Sequence, residues 1–248
     1  MNAVFLQAAL SAELKQDDHP ALKSIPLWRR MTALQKSVMA VLVKAVESDP
    51  ILFENLKATG APIYFTSAYG EVSAMLRVTQ QIDANSLPIS PKDFQHSVLN
   101  AAIAYLCIHQ HSQQPGFALS GGYESQDLAL HLASRRISAG LDSAAVIIHA
   151  HEWSDADPST ENAMAELLVL SALQDSRSRY SLQAIDQTYD RFESGWDDED
   201  DGSAWASYEE DLAQGSIAWL LKEGKPEPKR SLRNSFGLEL RSAWQELK

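Results

Sequence analysis

Three short apolar runs, at residues 63–67, 117–119 and 144–150, are bounded by turn residues and separated by stretches of helical periodicity. A bounded apolar run reads as a buried strand, and apolar residues recurring at three- and four-residue steps read as an amphipathic helix. The run IYFTS (63–67) lies between Pro62 and Gly70 and leads into a helix over 71–82. The run at 117–119 is followed by Gly121-Gly122 and a second amphipathic helix over 125–138 that ends near Gly140; the strand 144–150 comes next. Two more extended runs, 163–173 and 179–187, are split by the polar turn 174–178 and predict an antiparallel hairpin. Strands and helices in this alternation stack as layers, so the expected fold class is α/β, layered on a mixed sheet that ends in an antiparallel hairpin.

The flanking segments add detail. Residues 2–9 fit a first strand or short helix. Over 27–46, Leu27, Met31, Leu34, Val38, Val41, Leu42 and Ala45 form one apolar stripe of a helix that Pro50 stops. Ser90-Pro91-Lys92-Asp93 is a helix start, and the segment 94–108 behind it is apolar almost all round, which predicts one helix buried on most sides. From Asp186 to Asp211 there are eleven acids and one base, so 190–211 is expected to be a solvated acidic loop. A short helix over 212–222 and a last strand over 235–240 complete the reading. No low-complexity linker divides the chain, which predicts a single domain over 1–248.

With 21 Lys and Arg against 33 Asp and Glu, the net charge of −12 repels a phosphate backbone and an anionic membrane surface, so neither nucleic acid nor stable membrane insertion is expected. The one cysteine, Cys107, excludes an internal disulfide and a thiolate-rich zinc site. No apolar run reaches the ~18 residues of a membrane span, and the first residues lack a basic segment and cleavage site, which predicts a cytoplasmic protein.

Among chemically capable residues, His149 and His151 alternate along a strand and share a face, but two histidines at a strand end lack a third ligand, and no metal or other cofactor is expected. His109 and His111 fall at a helix end, where imidazoles cap carbonyls. Cys107 lies inside the apolar helix and reads as a structural thiol. Ser120 and Ser125 are candidate hydrolase nucleophiles, although G-x-S-x-G is absent.

Residues 90–122, SPKDFQHSVLNAAIAYLCIHQHSQQPGFALSGG, resemble the segment leading to the nucleophile of β-ketoacyl synthases of the thiolase fold. In those enzymes a Ser-Pro opens a segment with a buried asparagine in mid-helix. A proline then starts the short strand that ends at the active-site cysteine. Ser90-Pro91, Asn100 and Pro115 fall in step without a gap. PLWRRMTALQKSVMAVLVKAV and IYFTSAYGEVSAMLRVTQQI are similar to the first helix and the next strand and helix of the shorter, ketoacyl-synthase-like N-terminal domain family. The resemblance is good over 26–150 and loose beyond.

On that resemblance the cysteine position is Tyr123, between Gly122 and Glu124. A phenol of pKa ~10 cannot accept an acyl group as a thioester at neutral pH. A carboxylate at Glu124 also has the wrong sign for oxyanion stabilisation. The family's catalytic histidines belong to a second half-fold, and the last histidine here is His151. The resemblance therefore implies a non-catalytic chain-length factor of fatty-acid, polyketide or aryl-polyene type biosynthesis. It would form a heterodimer with a full-length active β-ketoacyl synthase and meet acyl carrier protein through that complex. By the same resemblance Tyr69, Val72, Met75 and Leu76, with Phe94, Ser97 and Val98, fall at the tunnel and dimer interface, against a default reading of ordinary core packing; Asn100 is expected to be structural. The alternative is a stand-alone acyl-binding protein or serine hydrolase.

Overall fold

The computed structural model describes residues 3–13, 20–84, 88–120, 122, 125–154, 161–178, 180–189, 229–233 and 238–247. Strand β1 (Val4–Glu13) is followed by helix α1 (Pro20–Lys23), a 3₁₀ turn (Trp28–Arg30), α2 (Ala33–Ser48) and α3 (Pro50–Thr59). Then come β2 (Ile63–Thr66), α4 (Val72–Asp83), α5 (Pro91–His96), α6 (Ala101–Gln110), β3 (Gly116–Leu119) and α7 (Ser125–Ser138). Five strands complete the described chain: β4 (Ala144–Ser154), β5 (Glu161–Ser171), β6 (Tyr180–Tyr189), β7 (Lys229–Arg233) and β8 (Leu238–Glu246).

They form one eight-stranded sheet in the order β3-β2-β4-β5-β1-β6-β8-β7. The β3-β2-β4 trio is parallel, as helical crossovers require, and every other pairing is antiparallel. Period-two alternation sends the strand side chains into two cores. Ile63, Phe65, Val146, Ile148, Leu167 and Val169 pack under α2, α3 and α6; Tyr64, Ile147, Leu168 and Leu170 pack under α7. A bulge between Leu6 and Ala8 in β1 switches the alternation, so Leu6 faces the α7 core and Ala8 the other. Gln7 sits at the bulge, and its Nε2 donates to Leu173 O and Ser178 Oγ, both at 2.8 Å.

The α/β layering, the mixed sheet and the helix over 125–138 follow the sequence reading, while several local expectations need correction. The helix expected from residue 27 begins at Ala33, behind the 3₁₀ turn, because Thr32 and Gln35 form a capping box there. Pro50 does end α2, but it also occupies the first turn of α3, with Asp49 Oδ1 accepting from Leu52 N at 2.9 Å. The single helix expected over 94–108 is two, broken between His96 and Ala101, and Ala104 and Ile108 are exposed on the second. The runs 163–173 and 179–187 are strands but not a hairpin: β1 lies between β5 and β6 and is antiparallel to both. The antiparallel pair that ends the sheet is β7 and β8. The acidic segment 190–211 and the helix expected over 212–222 lie outside the described residues, and the last strand is found as β8. No helix among the described residues is long and apolar enough to cross a membrane.

Candidate functional site

The parallel strands β2 and β3 end side by side, and the loops leaving them are tied together. Ser67 Oγ accepts from Gly70 N at 3.0 Å, and Ser120 Oγ donates to Ala68 O at 2.9 Å. Ser125, fully buried at the first position of α7, donates from Oγ to Gly122 O at 2.6 Å and approaches Ser67 O at 3.3 Å. Gly122 takes a φ of +70°, a left-handed conformation suited to glycine. The expected nucleophile position, Tyr123, and its neighbour Glu124 lie outside the described residues; Gly122 before them and Ser125 after them, at the start of α7, are described. Both candidate serine hydroxyls donate to main-chain carbonyls, Ser120 to Ala68 O and Ser125 to Gly122 O.

Behind this loop the α7 face of the sheet carries a buried polar row that sequence reasoning missed in part. Thr66, His149 and Glu166 are register partners on β2, β4 and β5. His149 Nδ1 lies 2.8 Å from Thr66 Oγ1, its Nε2 is buried with no hydrogen-bond partner, and its ring is 5.9 Å from that of His151. Gln126 Nε2, in the first turn of α7, is 3.5 Å from Glu166 Oε2. Burial pushes His149 down to about 3, with His151 adding to it, and His151 down to about 4; burial also pushes Glu166 up to about 7. At neutral pH the histidines are uncharged. They stand within β4, not at its end, and among the described residues no group of three or more His, Cys, Asp or Glu is placed to hold a metal ion.

A second buried cluster pins α4 to the rest of the molecule. Glu71, one residue before α4 and 1% exposed, accepts from Thr32 Oγ1 and from Gln35 Nε2, both at 2.7 Å. Gln35 Nε2 also lies 3.1 Å from His96 Nδ1 on α5, and Glu152 Oε1 on β4 accepts from Ser73 N at 2.6 Å. Burial pushes Glu71 up to about 7; the Thr32 and Gln35 hydrogen bonds oppose it, and the Glu152 charge adds to it. The signal that could have found Glu71, Glu152 and Glu166 is a lone acid next to an apolar element, such as MAELL around Glu166.

The sequence-predicted interface residues come together on α4, α5 and their flanking turns. Of the apolar residues of α4 only Ala74 is buried. Tyr69, Met75, Leu76, Phe94 and Val98 are between 42% and 62% exposed, so core packing does not account for them. Val72 and Ser97 are half-buried beside them. α4 and α5 are clasped by Asp93, which accepts from Arg77 Nε at 3.2 Å and Gln81 Nε2 at 2.8 Å, and by Ser90 N donating to Gln81 Oε1 at 2.7 Å. Asn100 is not buried in mid-helix: it is exposed, at the break before α6, and its side chain makes no cap bond. His111 ends α6 at a φ of 50°, as the helix-end reading expects, and Cys107 is half-buried in α6 with its thiol pushed up by burial.

The profile of the family described as "Beta-ketoacyl synthase, N-terminal domain" matches residues 6–216. No curated protein matches the sequence. Among solved structures the chain is similar to one of a ketosynthase (ApeO) in complex with its chain length factor (ApeC) from Xenorhabdus doucetiae, at 17% identity and a TM-score of 0.58, covering 93% of this chain and 83% of that one. It is also similar to the ishigamide ketosynthase/chain length factor, at 13% identity and a TM-score of 0.63, covering 95% and 86%. A third likeness, at 10% identity and a TM-score of 0.71 over 100% of both chains, is to a type II polyketide synthase acyl-carrier protein in complex with its ketosynthase, AntDE:AntF. At these identities the structures speak for the fold, which is that of the thiolase-like ketosynthases, while the profile covers most of the sequence. The chain belongs to the β-ketoacyl synthase N-terminal domain family.

Proposed function

We propose that this chain is a non-catalytic, ketosynthase-like subunit, a chain-length factor, that pairs with a full-length active β-ketoacyl synthase in fatty-acid- or polyketide-type biosynthesis of the aryl-polyene kind. The observation that carries this reading is the outward-facing apolar surface of Tyr69, Met75, Leu76, Phe94 and Val98 on elements tied together through Asp93. A contiguous apolar patch on a well-formed surface marks an interaction site. Sequence supports the non-catalytic role, since Tyr123 stands where a thiolate is needed. The partner would supply the cysteine and histidines, and this chain a wall of the acyl tunnel, which limits elongation by volume exclusion. Among the described residues strand β3 lies at the edge of the sheet, where a partner strand can be added.

On this reading 1–248 is a single domain acting in the cytoplasm. It needs no cofactor, meets acyl carrier protein only through the complex, and Asn100 braces the turn between α5 and α6. The serine-hydrolase alternative is disfavoured by the carbonyl-bound hydroxyls of Ser120 and Ser125.

Co-expression with a full-length ketosynthase tests the proposal. A stable stoichiometric complex is expected, inactive when the partner's cysteine is replaced. A lone chain with its own thioesterase turnover would overturn it. Within an active complex, Met75→Ala and Met75→Trp are expected to shift product chain length in opposite directions, read by mass spectrometry; an unchanged length across both would remove Met75 from the tunnel wall.

A further inference from the structure

On the sheet face opposite α7, α3 does not close completely against β2, β4 and α6. It leaves a half-open cavity of about 260 Å³. A concave pocket with an apolar floor and a few polar groups at its mouth is the common form of a small-molecule site. Its floor is Leu42, Leu56, Ile63, Leu106, Val146 and Ile148, all buried. The mouth is polar and of one electrostatic kind: Lys57 from the last turn of α3, with Gln110, His111, Gln113 and Gln114 from the end of α6 and the loop beyond it. Among the described residues that line the cavity there is no aspartate or glutamate, in a chain whose net charge is −12. Gly60, at a φ of +73°, is what lets the Gln114 amide lie so close to the end of α3: a Cβ there would come within 2.5 Å of Gln114 Nε2.

An apolar floor under a mouth with a lysine and several amide donors fits an amphiphile with a small anionic head. We infer that the cavity binds the free carboxylate form of a medium-chain fatty acid, its alkyl chain against the floor and its carboxylate at Lys57. The length of the apolar floor sets how much of the alkyl chain is covered. The site is independent of the subunit reading: none of the lining residues belongs to the α4 and α5 face, and ligand binding and partner pairing can fail separately.

Calorimetric titration of the full chain with butanoate, hexanoate, octanoate and dodecanoate, and with octan-1-ol, tests the inference. Affinity is expected to rise about fourfold per methylene, the equivalent of ~0.8 kcal/mol each, and to level off within the series once the floor is covered. Octan-1-ol should bind about five- to tenfold more weakly than octanoate, and Lys57→Gln should bring octanoate down to the alcohol's level. Lys57 is exposed, so this variant is expected to fold as the parent does and to co-purify with a ketosynthase unchanged. Val146→Phe, which fills the floor, should abolish binding. No saturable binding of octanoate would overturn the inference, as would equal affinity for acid and alcohol, or octanoate binding unaffected by Lys57→Gln.

Discussion

Phe94→Asp is expected to abolish co-purification of this chain with a ketosynthase while leaving its own thermal midpoint within about 2 °C of the parent. Phe94 is 62% exposed, so the isolated chain loses little packing when the ring is removed. The helix that carries it stays in place, because α5 is fixed through Asp93, Ser90 and the Gln35–His96 contact and not through the Phe94 ring. On the proposed subunit reading, the same substitution removes an aromatic anchor from the interface and buries an unpaired carboxylate there. Together these cost about 3 to 5 kcal/mol, enough to turn a nanomolar pair micromolar. A rigid face such as the one Asp93 clasps spends little ordering entropy on docking, which concentrates the affinity in the contacts themselves. Leu173→Asp is the control: Leu173 is 72% exposed, lies in the turn after β5, and should leave pairing intact. Retained co-purification of Phe94→Asp with loss in Leu173→Asp would move the interface to the other end of the sheet.

How much of this was legible in the sequence depends on the range of the interactions involved. Helix α7 and strands β2 and β4 were readable because caps, glycines and apolar period are local signals. The false hairpin came from a non-local fact: β1, more than 150 residues away in the chain, inserts between β5 and β6, and no periodicity within either run records its neighbours. The break between α5 and α6 was invisible because Val98 and Leu99 continue the apolar pattern across it. Asp49-Pro50, a cap followed by a first-turn proline, is a local signal for α3 that reading the proline as the stop of α2 hides. Apolarity alone could not tell the outward residues Met75 and Leu76 from core, since one helical stripe can face a sheet or solvent. The resemblance names residues on this face, and their exposure separates them from the core.

Glu71→Gln is expected to stabilise the chain by about 3 kcal/mol near pH 8 and to leave it unchanged near pH 4. Folded Glu71 and Glu166 keep their protons up to about 7, against an ordinary value of 4.5. Between those values the folded state binds more protons than the unfolded one, so their contribution to stability is lost as pH rises. His149 and His151 run the other way: pushed to about 3 and about 4 from an ordinary 6.5, they cost stability as pH falls through that range. From 4.5 to 6.5 the two carboxyls and the two imidazoles offset one another, which predicts a plateau. Stability should drop below it as the histidines alone act, and drop above it until Glu71 and Glu166 are ionised. Glutamine is neutral like the protonated carboxyl: its oxygen can accept from the Gln35 amide as Glu71 does, and its NH2 turns the Thr32 hydroxyl, which donates to Glu71, into an acceptor. In Glu71→Gln one histidine is left unopposed, so the plateau tilts upward with pH by about 1.4 kcal/mol per unit. Glu71→Leu, which leaves Thr32 and Gln35 buried without their partner, should instead lose about 2 to 4 kcal/mol relative to Glu71→Gln at every pH. Urea unfolding midpoints measured across this range decide the matter. If Glu71→Gln is less stable than the parent near pH 8, the carboxylate is ionised and stabilising in the folded chain, and burial is not what governs it.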